Sequence, residues 1–377
     1  MRTLDDLLYP ITPDRFFAEF HGRKPLHIPA PAGVPKRALL DWSTFNGLLN
    51  QPSIWTAQSL KLVQNTQPVP PERYCRTVQS QSGPAFRPDP AKVALFVAEG
   101  ASLIAGDVQD LTGPIAALSS VLSRTFAANA GANIYCSFKG VQAFGAHFDL
   151  TDVFAVQTEG EKLWRIYENR ANAPVEMPSD VGDMRRWLDQ TKGRLQAEVM
   201  MRPGDVLYLP RGCYHDALAQ DAASLHVTFS IAALHGRIIF NLLEQAAMQD
   251  PAFRAYLPPS GQDTGRALQQ HLAGLGQRLA QLAASPAFRD EVAMTQERLT
   301  PRAHRFALPH REPLTRYGRT AIMAPAYAGP VAHAMHWALS QQVFSLEDLI
   351  AQFDFVSEAD IRTAVDQAEK AGALKRA

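Results

Sequence analysis

The sequence predicts an α+β protein: an antiparallel barrel or jelly roll in mid-chain with helices on either side. Three observations carry this. Between residues 132 and 235 the text breaks into short runs rich in β-branched and aromatic residues, each bounded by Gly, Pro or Asp. Several such strands with turn signals between them fit a closed or rolled antiparallel sheet. Helical spacing of apolar residues replaces this pattern after His235 and continues to the C-terminus.

Residues 1–45 read as short helices and loops. In TPDRFFAEFHGRKPLHIP, Thr12 suits an N-cap, Pro13 the first turn, and Gly22 the close of the helix just after His21. From 60 to 100 the clusters QNTQPVPPERY and SQSGPAFRPDP read as loop. GDVQDLTGPIAALSSVLSRTFAA follows as a helix, with Pro114 in the first turn and Ile115, Leu118, Val121 and Leu122 on one stripe. The expected strands are ANIYCSFK, HFDLTDVFAVQTEG, KLWRIYE, DVLYLP, CYHDALA and ASLHVTFSIA. GRIIFNLLEQAAMQ and TGRALQQHLAGLGQRLAQLAA are helical. VAHAMHWALSQQ, SLEDLIAQF and SEADIRTAVDQAEKAG give three more helices, and the closing ALKRA can begin a β wing, so a winged-helix module is expected. The domain reading is 1–235, 236–300 and 301–377.

Composition narrows the class. Lys+Arg and Asp+Glu both total 37 in 377 residues, a balance that argues against coating nucleic acid or an anionic membrane. No apolar run approaches the ~18 residues of a membrane span, and the N-terminal residues, with acids among the apolar ones, do not read as a signal peptide. Cys75, Cys136 and Cys213 lack paired spacing and read as free thiols, which places the chain in the cytoplasm. Between 331 and 377, four basic residues (Arg362, Lys370, Lys375, Arg376) face seven acidic ones (Glu347, Asp348, Asp354, Glu358, Asp360, Asp366, Glu369). A net charge of −3 repels phosphate, so no sequence-specific DNA binding is expected. The preceding Arg302, Arg305, Arg311, Arg316 and Arg319 face only Glu312, as a solvated linker or a site for an acidic partner or RNA.

The chemistry sits in FGAHFDLTDVFAVQTEG and PGDVLYLPRGCYHDAL. Strand alternation puts His147 and Asp149 on one face. His215, 68 residues after His147 and just past the Pro210–Gly212 turn, is placed to join them from a neighbouring antiparallel strand. Two imidazoles and one carboxylate on one face of a metal leave positions open for a co-substrate and O2, as non-haem Fe(II) enzymes require. A bare H-x-D is common by chance, and His215 also suits a surface turn; Asp216, on the other strand face, needs no ligand role.

GAHFDLTDVFAVQTEGEKLWRIY and PGDVLYLPRGCYHDAL resemble the two signature blocks of the cupin-like JmjC ribosomal oxygenases. NIYCSFKGVQAFGAHFD and GASLIAGDVQDL resemble that family too, as does the order of barrel, helices and winged helix. The resemblance implies a double-stranded β-helix (jelly-roll/cupin) core, Fe(II) held by His147, Asp149 and His215, and 2-oxoglutarate as co-substrate. It implies hydroxylation of a protein or peptide substrate such as a ribosomal protein, and a homodimer formed through 236–300. An ordinary helical layer over the barrel is the alternative for that segment.

A 2-oxoglutarate site needs a cation for the distal carboxylate. In EKLWRIYE, Lys162, Trp164 and Ile166 share one face and Leu163, Arg165 and Tyr167 the other. If the first face is interior, Lys162 is buried and requires an anion; otherwise Arg165 points inward and Lys162 snorkels to solvent. The family's cation lies at the offset of Lys162. Asn133 matches a family position that contacts 2-oxoglutarate, though a polar strand-start residue reads the same way, and Ser230 matches a position near the co-substrate. His226, Thr228 and Ser230 form a polar strand face that suits a wet interior, with His226 behind the ligands. Phe148, Leu150–Thr151 and Lys162 depart from the family's commoner residues, Arg standing at the last in its bacterial arginine hydroxylases, so the substrate residue stays open. The competing readings are a cupin enzyme that does not use 2-oxoglutarate and a non-catalytic binding module on the same barrel.

Overall fold

The computed structural model describes residues 1, 3–31, 39–80, 83–138, 144–219, 223–299 and 314–377. They divide into two compact units, Met1–Arg302 and Ala303–Ala377. Among them no helix is long and apolar enough to cross a membrane.

Thirteen strands run through the described residues of the first unit. β1 (Leu26–Ile28), β2 (Leu60–Gln64), β3 (Gln67–Pro68), β4 (Cys75–Ser80), β5 (Gly83–Pro88) and β6 (Ser102–Ala105) precede the long β7 (Ala128–Phe138). β8 (Asp152–Gly160), β9 (Lys162–Arg170), β10 (Leu195–Met201), β11 (Val206–Leu209), β12 (Cys213–Leu218) and β13 (Ala223–Ala233) complete it. An eight-stranded antiparallel sheet has the order β1-β11-β8-β13-β7-β6-β2-β3, and a three-stranded sheet the order β10-β9-β12.

Alternation gives the large sheet two different faces. On β13, Leu225, Val227, Phe229 and Ile231 enter the main core, where Phe154, Tyr208 and Phe16 of the N-terminal helix Pro13–Glu19 also lie. Phe16 meets Tyr208 edge-on with ring centroids 4.9 Å apart, and Tyr208 OH accepts from the Gly22 amide, which ties the end of that helix to the sheet. The opposite face packs on the small sheet: Val153, Ala155, Leu207 and Leu209 meet Trp164, Ile166 and Met201. The site lies on this inner side.

Local signals placed most elements. Thr12 caps Pro13–Glu19 through the Arg15 amide, and Gly22 (φ +64) lies in the turn after it. Thr112 caps Gly113–Phe126, with Pro114 in its first turn and Ile115, Leu118, Val121 and Leu122 buried. Two expectations are corrected. Residues 60–100 are not mainly loop: β2, the β4–β5 hairpin and the helix Pro90–Ala98 lie there. Their Pro and Gly residues sit at element edges and in a two-stranded ribbon, where the missing ladder donor costs little. The strand expected from His147 begins only at Asp152, and His147 itself forms an isolated bridge. β10 gave no sequence signal because most of its side chains are exposed.

After the barrel come the helices Ile238–Ala247, Arg266–Ala283 and Pro286–Leu299. The second unit has helices Val331–Ser340, Leu346–Gln352 and Glu358–Lys370 beside β14 (Arg316–Arg319), β15 (Val343–Ser345) and β16 (Leu374–Arg376), in sheet order β15-β14-β16. Ser345 and Ser357 cap the last two helices. Its own core holds Tyr317, Met335, Leu349, Ile361 and Val365. Arg316 and Arg319 lie on β14, while Arg302, Arg305, Arg311 and Glu312 fall outside the described residues.

Phe229 is fully buried at the centre of the large sheet. Phe229→Ala is expected to cost about 3–5 kcal/mol in urea unfolding. Phe240, 74% exposed, gives the contrast: Phe240→Ala should stay within about 0.5 kcal/mol for an isolated chain.

Candidate active site

The two sequence blocks meet through their backbones. His147 N donates to His215 O at 3.0 Å, and His215 N donates to His147 O at 2.8 Å. The turn Pro210–Gly212 is fastened to the same loop: Gly212 N donates to Asp149 O at 2.9 Å, and Arg211 N to Asp152 Oδ1 at 2.7 Å. Phe148 points away from His147 and Asp149 and packs with Tyr167, Leu188 and Tyr214. That anchored ring holds its neighbours toward the barrel interior although they lie outside a regular strand.

One ligand atom from each of His147, Asp149 and His215 falls within 4.8 Å of the others. Both rings are oriented from behind: His147 Nδ1 donates to Gly145 O at 2.9 Å and His215 Nδ1 to Cys213 O at 3.0 Å. This leaves each Nε2 as the lone-pair nitrogen, the tautomer a metal takes. Burial, with His147 alongside, pushes His215 down to about 4, so its imidazole is neutral at physiological pH. Trp164 stacks on the His215 ring at 5.7 Å and Phe144 meets His147 edge-on at 5.7 Å. The donor set, its spacing and its tautomers fit one divalent ion bound on a single face.

A cavity of about 120 Å³ adjoins the trio, lined from the large sheet by Asn133, Tyr135, Val153, His226, Thr228 and Ser230 and from the small sheet by Lys162, Trp164 and Ala217. An apolar cavity of ~150 Å³ admits benzene, so this one suits a small metabolite and not a nucleotide. Lys162 is 2% exposed, and its Nζ donates to Ser137 Oγ at 3.3 Å. Burial depresses the ammonium to about 8. Of the two faces that alternation offered, the one with Lys162, Trp164 and Ile166 is interior, and all three are buried. Arg165, from the other face, donates to Asp216 Oδ1 at 2.8 Å, with Tyr167 OH donating to Oδ2. Asp216 thus serves packing outside the cavity.

Asn133 and Ser230 reach the cavity wall, and Asn133 Oδ1 also accepts from the Asp107 amide at 3.2 Å. His226 stacks on Tyr135 with ring centroids 4.9 Å apart and planes 5° from parallel. Its Nδ1 is buried with no hydrogen-bond partner among the described residues, and burial plus Lys162 hold the ring well below the usual imidazole range. A buried lysine with no carboxylate partner among the described residues marks a place for an anionic ligand. Sequence reasoning missed Phe144 at the mouth and Ser137 behind Lys162; alternation along β7 puts Ser137 with Asn133 and Tyr135, which is the signal that could have found it.

Fold and site together define a cupin-type double-stranded β-helix with a His–Asp–His donor set between its sheets. Residues 112–237 match the family model for the JmjC domain. It is 29% identical over 259 residues to ribosomal oxygenase 1 of Danio rerio, covering 67% of this chain and 45% of that protein. It is 30% identical over 268 residues to the bifunctional lysine-specific demethylase and histidyl-hydroxylase NO66 of Dictyostelium discoideum, covering 68% and 49%. The chain thus spans about half the length of these relatives. The X-ray structure of E. coli ycfD superposes with a TM-score of 0.53 at 16% identity, over 97% of this chain and 98% of that one. A YcfD structure in complex with cobalt and 2-oxoglutarate gives 0.50 at 15% identity, over the same shares.

Two outcomes are expected. Gly212 has φ +84, and a Cβ there would lie 2.4 Å from Ala171 O. Gly212→Ala should therefore destabilise the chain by about 1–3 kcal/mol or more and weaken Co(II) binding, read by thermal melting and visible absorption. For Lys162, the unfolded chain keeps its proton up to the ordinary lysine value of 10.5 and the folded chain releases it near 8. Between those values the unfolded state binds more protons, so stability rises with pH there. Lys162→Met should raise the Tm of the ligand-free chain at pH 7, and the gain should fade as pH approaches the upper value.

Proposed function

We propose that this protein is an Fe(II)- and 2-oxoglutarate-dependent oxygenase that hydroxylates a side chain of a protein substrate, a ribosomal protein foremost. One observation carries the reading: a His–Asp–His donor set shares a small cavity with a buried lysine that has no carboxylate partner among the described residues. The names of the relatives supply the substrate class, and the YcfD complex with cobalt and 2-oxoglutarate supplies the ligand pair.

In this reading His147, Asp149 and His215 hold the metal, and bound iron with 2-oxoglutarate supplies the oxidising power for C–H hydroxylation. Lys162 pairs with the distal carboxylate of the co-substrate, and the match of charges offsets the cost of burying both. Asn133 and Ser230 donate from the opposite wall. Trp164 keeps the His215 ring in place and water off it, and Phe144 covers His147 at the mouth. The protein's part is ligation, orientation and exclusion of water.

Residues 1–235 form the oxygenase domain in this reading, 236–300 a dimerisation segment, and 301–377 a linker with a winged-helix-type module. The helix Arg266–Ala283 buries none of its residues although Leu recurs along it, and Tyr256 (100% exposed) and Phe240 are open to a second copy. Three helices beside a three-stranded sheet support the winged-helix assignment, and its acidic balance supports a protein rather than DNA as its contact. Cys75, Cys136 and Cys213 are free and buried, in keeping with the cytoplasm.

Anaerobic titration with Fe(II) and 2-oxoglutarate, then succinate release with ribosomal protein added, tests the reading. We expect metal-dependent 2-oxoglutarate binding that His147→Ala abolishes and Lys162→Ala weakens by about 10-fold or more, as for loss of a charge-assisted hydrogen bond. Metal binding without 2-oxoglutarate binding would instead point to a cupin of other chemistry.

A further inference from the structure

The floor of the barrel holds polar side chains that packing alone does not require. Ser102 and Ser137 are fully buried, from the adjacent strands β6 and β7. Ser137 Oγ accepts from Lys162 Nζ at 3.3 Å, and Ser102 Oγ donates to the same oxygen at 2.9 Å. Neither serine lines the cavity, whereas Lys162 does. Any effect they have on a ligand therefore passes through the ammonium.

A hydroxyl has two acceptor lone pairs and one proton. The Ser102 hydroxyl occupies one lone pair of Ser137 and so turns the other toward Lys162. The lysine side chain is otherwise long and rotamer-rich, and Ser137 is the one hydrogen-bond acceptor that holds its tip among the described residues. The remaining ammonium protons are left for a ligand. We propose that Ser137, oriented by Ser102 from the neighbouring strand, is a positioning residue that sets the place of the Lys162 ammonium and so gives the site its preference for a dicarboxylate over a monocarboxylate 2-oxo acid. This rests on the 2-oxoglutarate reading above.

The test is anaerobic calorimetric titration of the full, Co(II)-loaded chain with 2-oxoglutarate and with 2-oxobutyrate, which lacks the distal carboxylate. Ser137→Ala and the nearly isosteric Ser137→Cys should each raise the Kd for 2-oxoglutarate by about tenfold or more and leave that for 2-oxobutyrate within about twofold. Ser102→Ala should raise the 2-oxoglutarate Kd by a smaller factor and add nothing on top of Ser137→Ala, the non-additivity of a shared interaction. An unchanged 2-oxoglutarate Kd in both Ser137 variants overturns the positioning role. Equal losses for the two acids overturn it as well, since they report a disturbed barrel. A wild-type chain that takes up Co(II) but not 2-oxoglutarate overturns the functional reading itself, and this inference with it.

Discussion

The reciprocal pair of backbone hydrogen bonds between His147 and His215 is the constraint on which the site depends. It joins a loop that precedes β8 to a strand of the other sheet, so both imidazoles descend from one rigid bridge. A bridge of this kind has no side-chain requirement, yet it fixes two Cα positions together. The carbonyls of Gly145 and Cys213 then orient the rings, and Phe144 and Trp164 hold them by packing. Ligands supported in this way keep their geometry before any ion arrives, which lowers the ordering cost of binding.

The second organising feature is the split character of β13 and β7. Their outer residues fill the main core, while their inner residues are polar and partly unpartnered. Such an interior is costly to an empty protein, because an ammonium and an imidazole lose hydration without gaining full partners. The stability of the barrel therefore rests on its outer face, where Phe154, Tyr208 and Phe229 are buried under the N-terminal helices. The same sheet supplies stability on one side and chemistry on the other.

Period-two alternation made much of this legible in the sequence. It put Lys162 with Trp164 and Ile166, and His226 with Thr228 and Ser230, and both groupings appear on the inner walls. The Thr12 cap and the first-turn prolines Pro13 and Pro114 placed two of the helices. Alternation did not extend to His147, which lies in an irregular loop, nor to β10, whose exposed residues carry no pattern. Residues 60–100 were obscured because proline and glycine at strand edges look like loop when neighbouring strands are not in view.

The sequence by itself determined the donor types, the grouping of Lys162, Trp164 and Ile166 on one face of β9 and the turn that precedes His215, since these follow from residue chemistry and local periodicity. Only the tertiary structure decided that His147, Asp149 and His215 converge, that Lys162 has no carboxylate partner among the described residues, and that Ser102 stands behind Ser137. Those facts depend on which strands become neighbours. Register between strands distant in the chain is set by the packing of the whole barrel, and no local pattern contains it.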